Sequence, residues 1–158
     1  MKTISKSNKI FSKQILVAVI LFIVLTAITF FAFYNQRPYY SEQFIADLEA
    51  QGAKIEGTQN GASDFVFFIN GTILNVSGQK VQYFEYATTE HANYLSSRVS
   101  ENGYTIRGAK ITWKASPHLF QKNNFIVLYV GNNTQILQHL ENIFGEQFAG
   151  TEYSLIEN

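Results

Sequence analysis

The first feature of the chain is an uninterrupted apolar segment near its N-terminus. Residues 15–34 read ILVAVILFIVLTAITFFAFY, without a charge and with Thr26 and Thr29 as the most polar side chains. Twenty helical residues span about 30 Å, which is the thickness of the hydrocarbon core of a bilayer. A buried helix of a globular protein normally keeps one polar face, which this segment lacks. The pattern predicts a single transmembrane helix over residues 15–34.

The two sides of this segment differ in charge. Residues 1–14 hold four lysines and no acid, whereas the chain from Asn35 onward carries a net charge of −4, so the total is zero. Because short Lys-rich flanks stay in the cytoplasm, we expect a single-pass cell-membrane anchor with a cytoplasmic basic tail and an extracytoplasmic C-terminal domain. A cleaved signal peptide is the main alternative, but its apolar part is shorter, about 7–15 residues, and ends in small residues. This apolar run ends in bulky side chains, namely Phe30, Phe31, Phe33 and Tyr34.

The chain beyond the apolar segment predicts a stalk and then a small α+β domain. We assign residues 35–43 to the stalk and residues 44–158 to the domain. A short amphipathic helix is expected after Ser41, whose hydroxyl can cap it, and Gly52 is a stop signal. Residues 65–69 read as a buried strand.

Two successive units of strand, strand and helix follow in the pattern. Each unit ends in a helix with one apolar stripe, so the units are expected to form a four-stranded antiparallel sheet with both helices on one face. The predicted strands are residues 72–76, 80–87, 110–114 and 125–130, and the helix caps are Thr88 or Thr89 and Asn132 or Asn133. The predicted connection within the second unit runs through Ser116, Pro117 and residues 122–124.

The composition removes several kinds of chemistry. The chain has no cysteine, which excludes disulfides, Cys-ligated zinc, iron–sulfur clusters and a thiol nucleophile. It also has no nucleophile elbow, no H-E-x-x-H and no phosphate loop. Nucleic-acid binding is not expected, because the part beyond the apolar segment is acidic overall. His91, His118 and His139 come from separate elements, so we expect no metal site and no cofactor.

Four residues are candidates for a binding site: Trp113, Tyr129, His118 and Glu85. Trp113 and Tyr129 belong to a stretch rich in aromatic residues, and an exposed aromatic cluster suits a sugar or peptide ligand. Their alternative role is to fill the core of a small sheet. His118 follows Pro117 in a predicted loop, where sites tend to lie. Glu85 is a charge within an aromatic strand, and it is either functional or simply faces solvent.

Several strings in the second half of the chain resemble a known group of proteins. The strings are GQKVQYFEYAT at 78–88, ITW at 111–113, SPHLF at 116–120, NFIVLYVG at 124–131 and FGEQFAG at 144–150. They resemble small, uncharacterised bacterial extracytoplasmic lipoproteins. The resemblance implies a bacterial, outward-facing domain and brings no activity with it. The chain departs from that group because its apolar segment stands where a lipid-bearing cysteine would be.

These observations favour one function and leave a second open. The first is a membrane-anchored extracytoplasmic module that binds an envelope protein or a cell-wall component without catalysis. The alternative is a small cell-surface enzyme with an acid–base site near Glu85 and His118, since such a pair can transfer protons. Convergence of these two side chains in a concave pocket would favour the enzyme, and an exposed aromatic patch would favour binding.

Overall fold

The computed structural model describes residues 4–34, 37–63 and 66–151, and it describes side chains for residues 15–30, 37–61 and 66–151. The chain divides into two compact units, Met1–Arg37 and Pro38–Asn158. Each unit is described by itself below.

The first unit contains helix α1, Ile4–Tyr34. Across the part of the chain that the structure describes, no helix combines the length and the apolarity needed to cross a bilayer. The prediction of a transmembrane helix over residues 15–34 is therefore wrong. The single-pass cell-membrane localisation, which rested on that helix, is wrong with it.

The second unit has the predicted α+β class. Its helices are α2 (Ser41–Ala50), α3 (Thr89–Ser96) and α4 (Thr134–Phe144). Its strands are β1 (Ile55–Ser63), β2 (Asn70–Val76), β3 (Gln79–Glu85), β4 (Thr105–Ile106), β5 (Ala109–Lys110), β6 (Pro117–Lys122), β7 (Phe125–Val130) and β8 (Ala149–Gly150).

An antiparallel sheet forms the centre of this unit. Among the described residues it has six strands in the order β1-β2-β3-β7-β6-β8, and β4 and β5 form a separate small ribbon. Three of its inner strands, β2, β3 and β7, correspond to predicted strands, and β6 takes the place expected for residues 110–114. The sheet is larger than the predicted four strands because β1 is added at one edge and β8 at the other.

The helices cover both faces of the sheet, so the prediction that the helices of the two units lie on one face is wrong. Helices α2 and α4 pack on the face that carries Phe125, Val127 and Tyr129 of β7. Helix α3 packs on the opposite face, which carries Ile126 and Leu128 and which we call the α3 face. Successive residues of a strand point to opposite sides. Because every described residue of β7 is apolar, each side of the sheet needs its own cover.

Two stretches have structures that differ from the predicted strands. Residues 66–69 form a turn rather than a strand, and Phe65 lies outside the described residues. Phe67, one of the aromatic residues in this turn, stacks its ring on Phe84 with the centroids 4.0 Å apart. The predicted strand over residues 110–114 is limited to Ala109–Lys110.

The predicted connection through Ser116 and Pro117 contains β6. Asn123 adopts a left-handed backbone, φ 54°, which allows a tight turn after β6 and brings β7 back alongside it. Pro117 is the first residue of the strand, a position that tolerates proline.

The helix caps agree with the predicted alternatives in α3 and α4. The Thr88 hydroxyl accepts a hydrogen bond from the His91 amide at 3.3 Å. Asn133 accepts two, from the amides of Gln135 and Ile136, at 3.0 and 3.2 Å. Such side chains satisfy amides that the first helical turn leaves without partners.

Tyr39, which falls in the predicted stalk, is buried in the second unit. Its ring makes an edge contact with Phe125, and its amide donates to Asn124 Oδ1 at 2.7 Å. Its hydroxyl donates to Asp47 Oδ2 at 2.5 Å. Burial, reinforced by the Asp47 carboxylate, raises the pKa of this phenol, so the hydroxyl keeps its proton. The segment that leads into α2 is thus attached to the core.

Candidate functional site

Glu85 and His118 lie far apart along the sheet. Glu85 pairs with Phe125 of β7, whereas His118 pairs with Tyr129, four residues further along the same strand. At about 3.4 Å per residue, this separation is roughly 14 Å. The structure therefore does not bring these two side chains together into an acid–base site.

The contacts of Glu85 and of His118 give each residue a structural role. Glu85 is exposed at the end of β3, and its carboxylate accepts the Ser41 amide at 3.1 Å, at the N-terminus of α2. A carboxylate at this position stabilises a helix. His118 is 1% exposed, with Nδ1 2.8 Å from Gln147 Oε1. Burial lowers the pKa of His118, although its hydrogen bonds act in the opposite direction.

Tyr129 is also a core residue, with 1% of its surface exposed. Its hydroxyl accepts the Asn133 amide at 3.1 Å and lies 3.3 Å from Gln79 Oε1. These contacts join β7 to the beginning of α4 and to β3. Tyr129 therefore has the alternative role considered from the sequence, which is to fill the core of the sheet.

Trp113 differs from the other three candidates because it lines an open groove on the α3 face. The floor is a row of side chains across β2, β3 and β7, since Ile73 pairs with Gln82 and Gln82 pairs with Leu128. The volume is about 350 Å³. We call it the Trp113 groove, and it is lined by Ile73, Lys80, Gln82, Thr112, Trp113, Lys114, Leu128 and Val130.

The groove exists because the α3 face is only partly covered. One half of this face lies under Phe67, which stacks on Phe84, and under α3. The other half, around Gln82, has residues 112–114 beside it. Leu128 is 3% exposed there, whereas Ile73, Trp113 and Val130 are half-buried and leave part of their apolar surface open to solvent.

Hydrogen bonds to a neighbouring loop hold the wall of the groove in place. The Trp113 indole N–H donates to the Gly103 carbonyl at 2.9 Å, and the Ile111 amide donates to the Tyr104 carbonyl at 2.9 Å. Trp113 is half-buried, so one part of its ring packs on the core while another part faces the groove. The groove is thus formed before any partner arrives.

Two glycines leave room for the Gln82 side chain in the floor of the groove. A Cβ atom on Gly71 would lie 2.5 Å from Gln82 Nε2 and 2.7 Å from the Phe84 ring. A Cβ atom on Gly61 would lie 2.6 Å from the Gly71 carbonyl oxygen and 3.1 Å from Gln82 Nε2. The Gln82 amide lies over β2 and β1 in the space that these missing side chains leave.

Two cations stand at the groove, and none of its lining residues is acidic. Lys80 and Lys114 are both exposed. Within the described residues neither lysine forms an ion pair, whereas Lys54 lies 3.6 Å from Glu56. In the described part of the chain the groove therefore combines apolar side chains, an aromatic wall and two cations without an acidic partner.

A larger recess lies beside β8, with a volume of about 600 Å³, and includes Glu101, Tyr104 and Gln147. It adjoins Thr151. The part of the chain with described side chains holds no group of three or more His, Asp or Glu residues arranged to bind a metal ion.

The sequence pointed to one residue of the groove, Trp113, and missed the others. Ile73, Gln82 and Leu128 become neighbours only through the pairing of β2, β3 and β7. Lys80 and Lys114 carry no local signal, since single lysines are common on any surface. Apolar and polar residues alternate over 110–114, which places Trp113 and Lys114 on opposite sides of a predicted strand. This alternation was the signal available for Trp113.

The fold and the groove define an α+β domain with a six-stranded antiparallel sheet in its described part and a preformed surface groove. Comparisons with protein-family models, with curated proteins and with solved structures found no match to this chain. The resemblance to small bacterial lipoproteins therefore stays a prediction.

Proposed function

We propose that the second unit is a non-catalytic binding module whose Trp113 groove receives apolar side chains of an extended partner polypeptide. The observation that carries this proposal is the Trp113 groove, where a tethered tryptophan stands beside the half-buried aliphatic side chains of Ile73 and Val130. Tryptophan in a well-packed recess is typical of residues that dominate binding energy at protein interfaces.

The chemistry of the floor favours a polypeptide over a cell-wall polysaccharide, the other partner considered from the sequence. Ile73 and Val130 are half-buried and offer aliphatic surface, and burying apolar area is the main favourable term in protein association. The neutral polar side chains in the lining are Gln82 and Thr112. A sugar ring, which carries hydroxyls around its edge, would leave most of them without protein partners.

Support for a role without catalysis comes from the placement of the titratable groups. Glu85 is used at the N-terminus of α2, and His118 is buried about 14 Å away along β7. Neither side chain is among the residues that line the Trp113 groove. The groove therefore offers binding surface without a general acid or base of these two kinds.

Selection of peptides from a random displayed library against the full chain tests the proposal. Enriched peptides should share apolar residues at alternate positions, because successive side chains of an extended peptide point to opposite sides. Their binding should be lost in Ile73→Thr, which keeps a β-branched residue in β2 but removes aliphatic floor.

The matched control is Ile55→Thr, which makes the same change in β1 at a residue that packs on the core of the opposite sheet face. Peptides that bind through the groove should bind this control as they bind the unmodified chain. Failure to enrich any peptide, or equal binding to Ile73→Thr and the control, would refute the proposal.

A further inference from the structure

The next inference rests on the proposed function and concerns the chemistry of the partner. We infer that the Trp113 groove selects an acidic polypeptide segment, in which carboxylates flank the apolar residues that enter the groove. The observation behind it is the pair Lys80 and Lys114 at an apolar groove whose lining contains no acid.

Neither lysine is neutralised within the described structure. Glu56 of β1, the edge strand on the far side of β2 from Lys80, has other contacts: it lies 3.6 Å from Lys54 and accepts the Gly78 amide at 3.2 Å. Lys80 and Lys114 form no ion pair among the described residues. Their charges are therefore available to a partner.

The sign of this local charge is opposite to that of its surroundings. The chain from Asn35 onward has a net charge of −4, yet the groove is bordered by two cations and no acid. General attraction to the domain would favour a basic partner, whereas the groove favours an acidic one. Complementary charge near a binding site adds specificity and increases the rate of association.

An extended acidic segment fits both parts of the groove. Its apolar side chains can contact Ile73, Val130 and the Trp113 ring, while carboxylates two positions away, on the same side of the extended segment, can approach the lysine ammonium groups. The long Lys80 and Lys114 side chains can keep these ammonium groups in water, so the pairing requires little desolvation. A basic segment would instead bring like charges together.

Three synthetic heptapeptides with blocked ends test the inference: Glu-Thr-Leu-Thr-Leu-Thr-Glu, whose Glu and Leu share one side when extended, and the matched forms in which both Glu are Gln or Lys. Trp113 is the only tryptophan of the chain, so intrinsic tryptophan fluorescence of the full chain reports directly on the groove. We expect the Glu peptide to bind about threefold to tenfold more tightly than the Gln peptide. The Lys peptide should bind most weakly, and the differences should shrink as salt is added.

Charge reversal provides the decisive comparison. The double variant Lys80→Glu with Lys114→Glu should invert the order, so that the Lys peptide binds most tightly. The control Lys54→Glu reverses an exposed lysine that does not line the groove, and it should leave the order unchanged. An unchanged unfolding midpoint in each variant shows that the fold is retained.

The outcomes separate this inference from the proposed function. If the three peptides bind equally well and Ile73→Thr abolishes their binding, the groove binds polypeptides but the preference for acidic segments is refuted. If Lys54→Glu changes the order as much as the groove variants do, the general field of the domain acts and the inference is also refuted. If no peptide binds, or Ile73→Thr has no effect, both proposals fail.

Discussion

Asn124 holds the entry to α2 against the sheet, and its replacement by alanine should be among the most damaging single changes in the domain. The residue is 3% exposed. Its Oδ1 accepts the Tyr39 amide at 2.7 Å, and its Nδ2 donates to the Tyr86 carbonyl at 2.8 Å. The alanine variant removes both bonds and leaves no group in their place.

The expected cost follows from these two contacts. Each lost hydrogen bond is worth about 1 kcal/mol, and a buried amide left without a partner costs about 1–3 kcal/mol more. Because Tyr39 is 2% exposed, its amide has little access to water as a substitute. We expect Asn124→Ala to lower the free energy of unfolding by about 2–4 kcal/mol. The midpoint of urea unfolding should fall by roughly 1–2 M.

Trp113 fluorescence is the appropriate probe for this experiment, because the only tryptophan lies in the second compact unit and α1 lies in the first. The control is Asn132→Ala, which changes an exposed asparagine before α4 and should alter stability by less than about 0.5 kcal/mol. A loss in Asn124→Ala no larger than that of the control would refute the assigned role of the hydrogen bonds.

Three further predictions concern the core, the response to pH and a helix cap. Phe67→Ala should cost about 3–5 kcal/mol because the ring is fully buried, whereas Phe68→Ala, at a 56% exposed position, should cost less than about 1 kcal/mol; similar denaturation midpoints would contradict this contrast. Burial lowers the pKa of both His118 and His139 below 6.5. The unfolded chain then binds protons more readily, so stability should be complete above about pH 6.5 and should fall as the pH drops toward the lowered values. Thermal unfolding across this range checks the trend, and a stability that rises on acidification would exclude it. Asn133→Ala should cost about 1 kcal/mol, measured by urea unfolding, since two amides lose their acceptor; no loss would show that the cap is not needed.

Local patterns predicted those parts of the fold that depend on neighbours in sequence. Asn133 was one of two expected caps, and the apolar run of β7 indicated a central strand, which the sheet order confirms. Strand β6 was missed because Pro117 and the polar residues near Asn123 resemble a connection. Its strand character comes from pairing with β7, which is a property of the fold and not of the local sequence.

The site was predictable only where one residue type carried the signal. Trp113 was singled out, with Tyr129, from a stretch rich in aromatic residues. Glu85 also stood out, but the structure uses it at the N-terminus of α2, in a contact between residues 44 positions apart. Lys80 and Lys114 can be assigned to the site only in the folded chain, where the register of β3 and the path of residues 112–114 bring them to one groove. Sequence spacing cannot contain that information.

The central claim is that the Trp113 groove is the surface that binds a partner. Chemical-shift mapping by NMR on the full chain, during titration with the Glu-Thr-Leu-Thr-Leu-Thr-Glu peptide, tests it directly. The account predicts saturable shifts of the amides of Ile73, Gln82 and residues 112–114, together with the Trp113 indole N–H. Saturable shifts centred on the recess beside β8, or the absence of saturable shifts around Trp113, would contradict it.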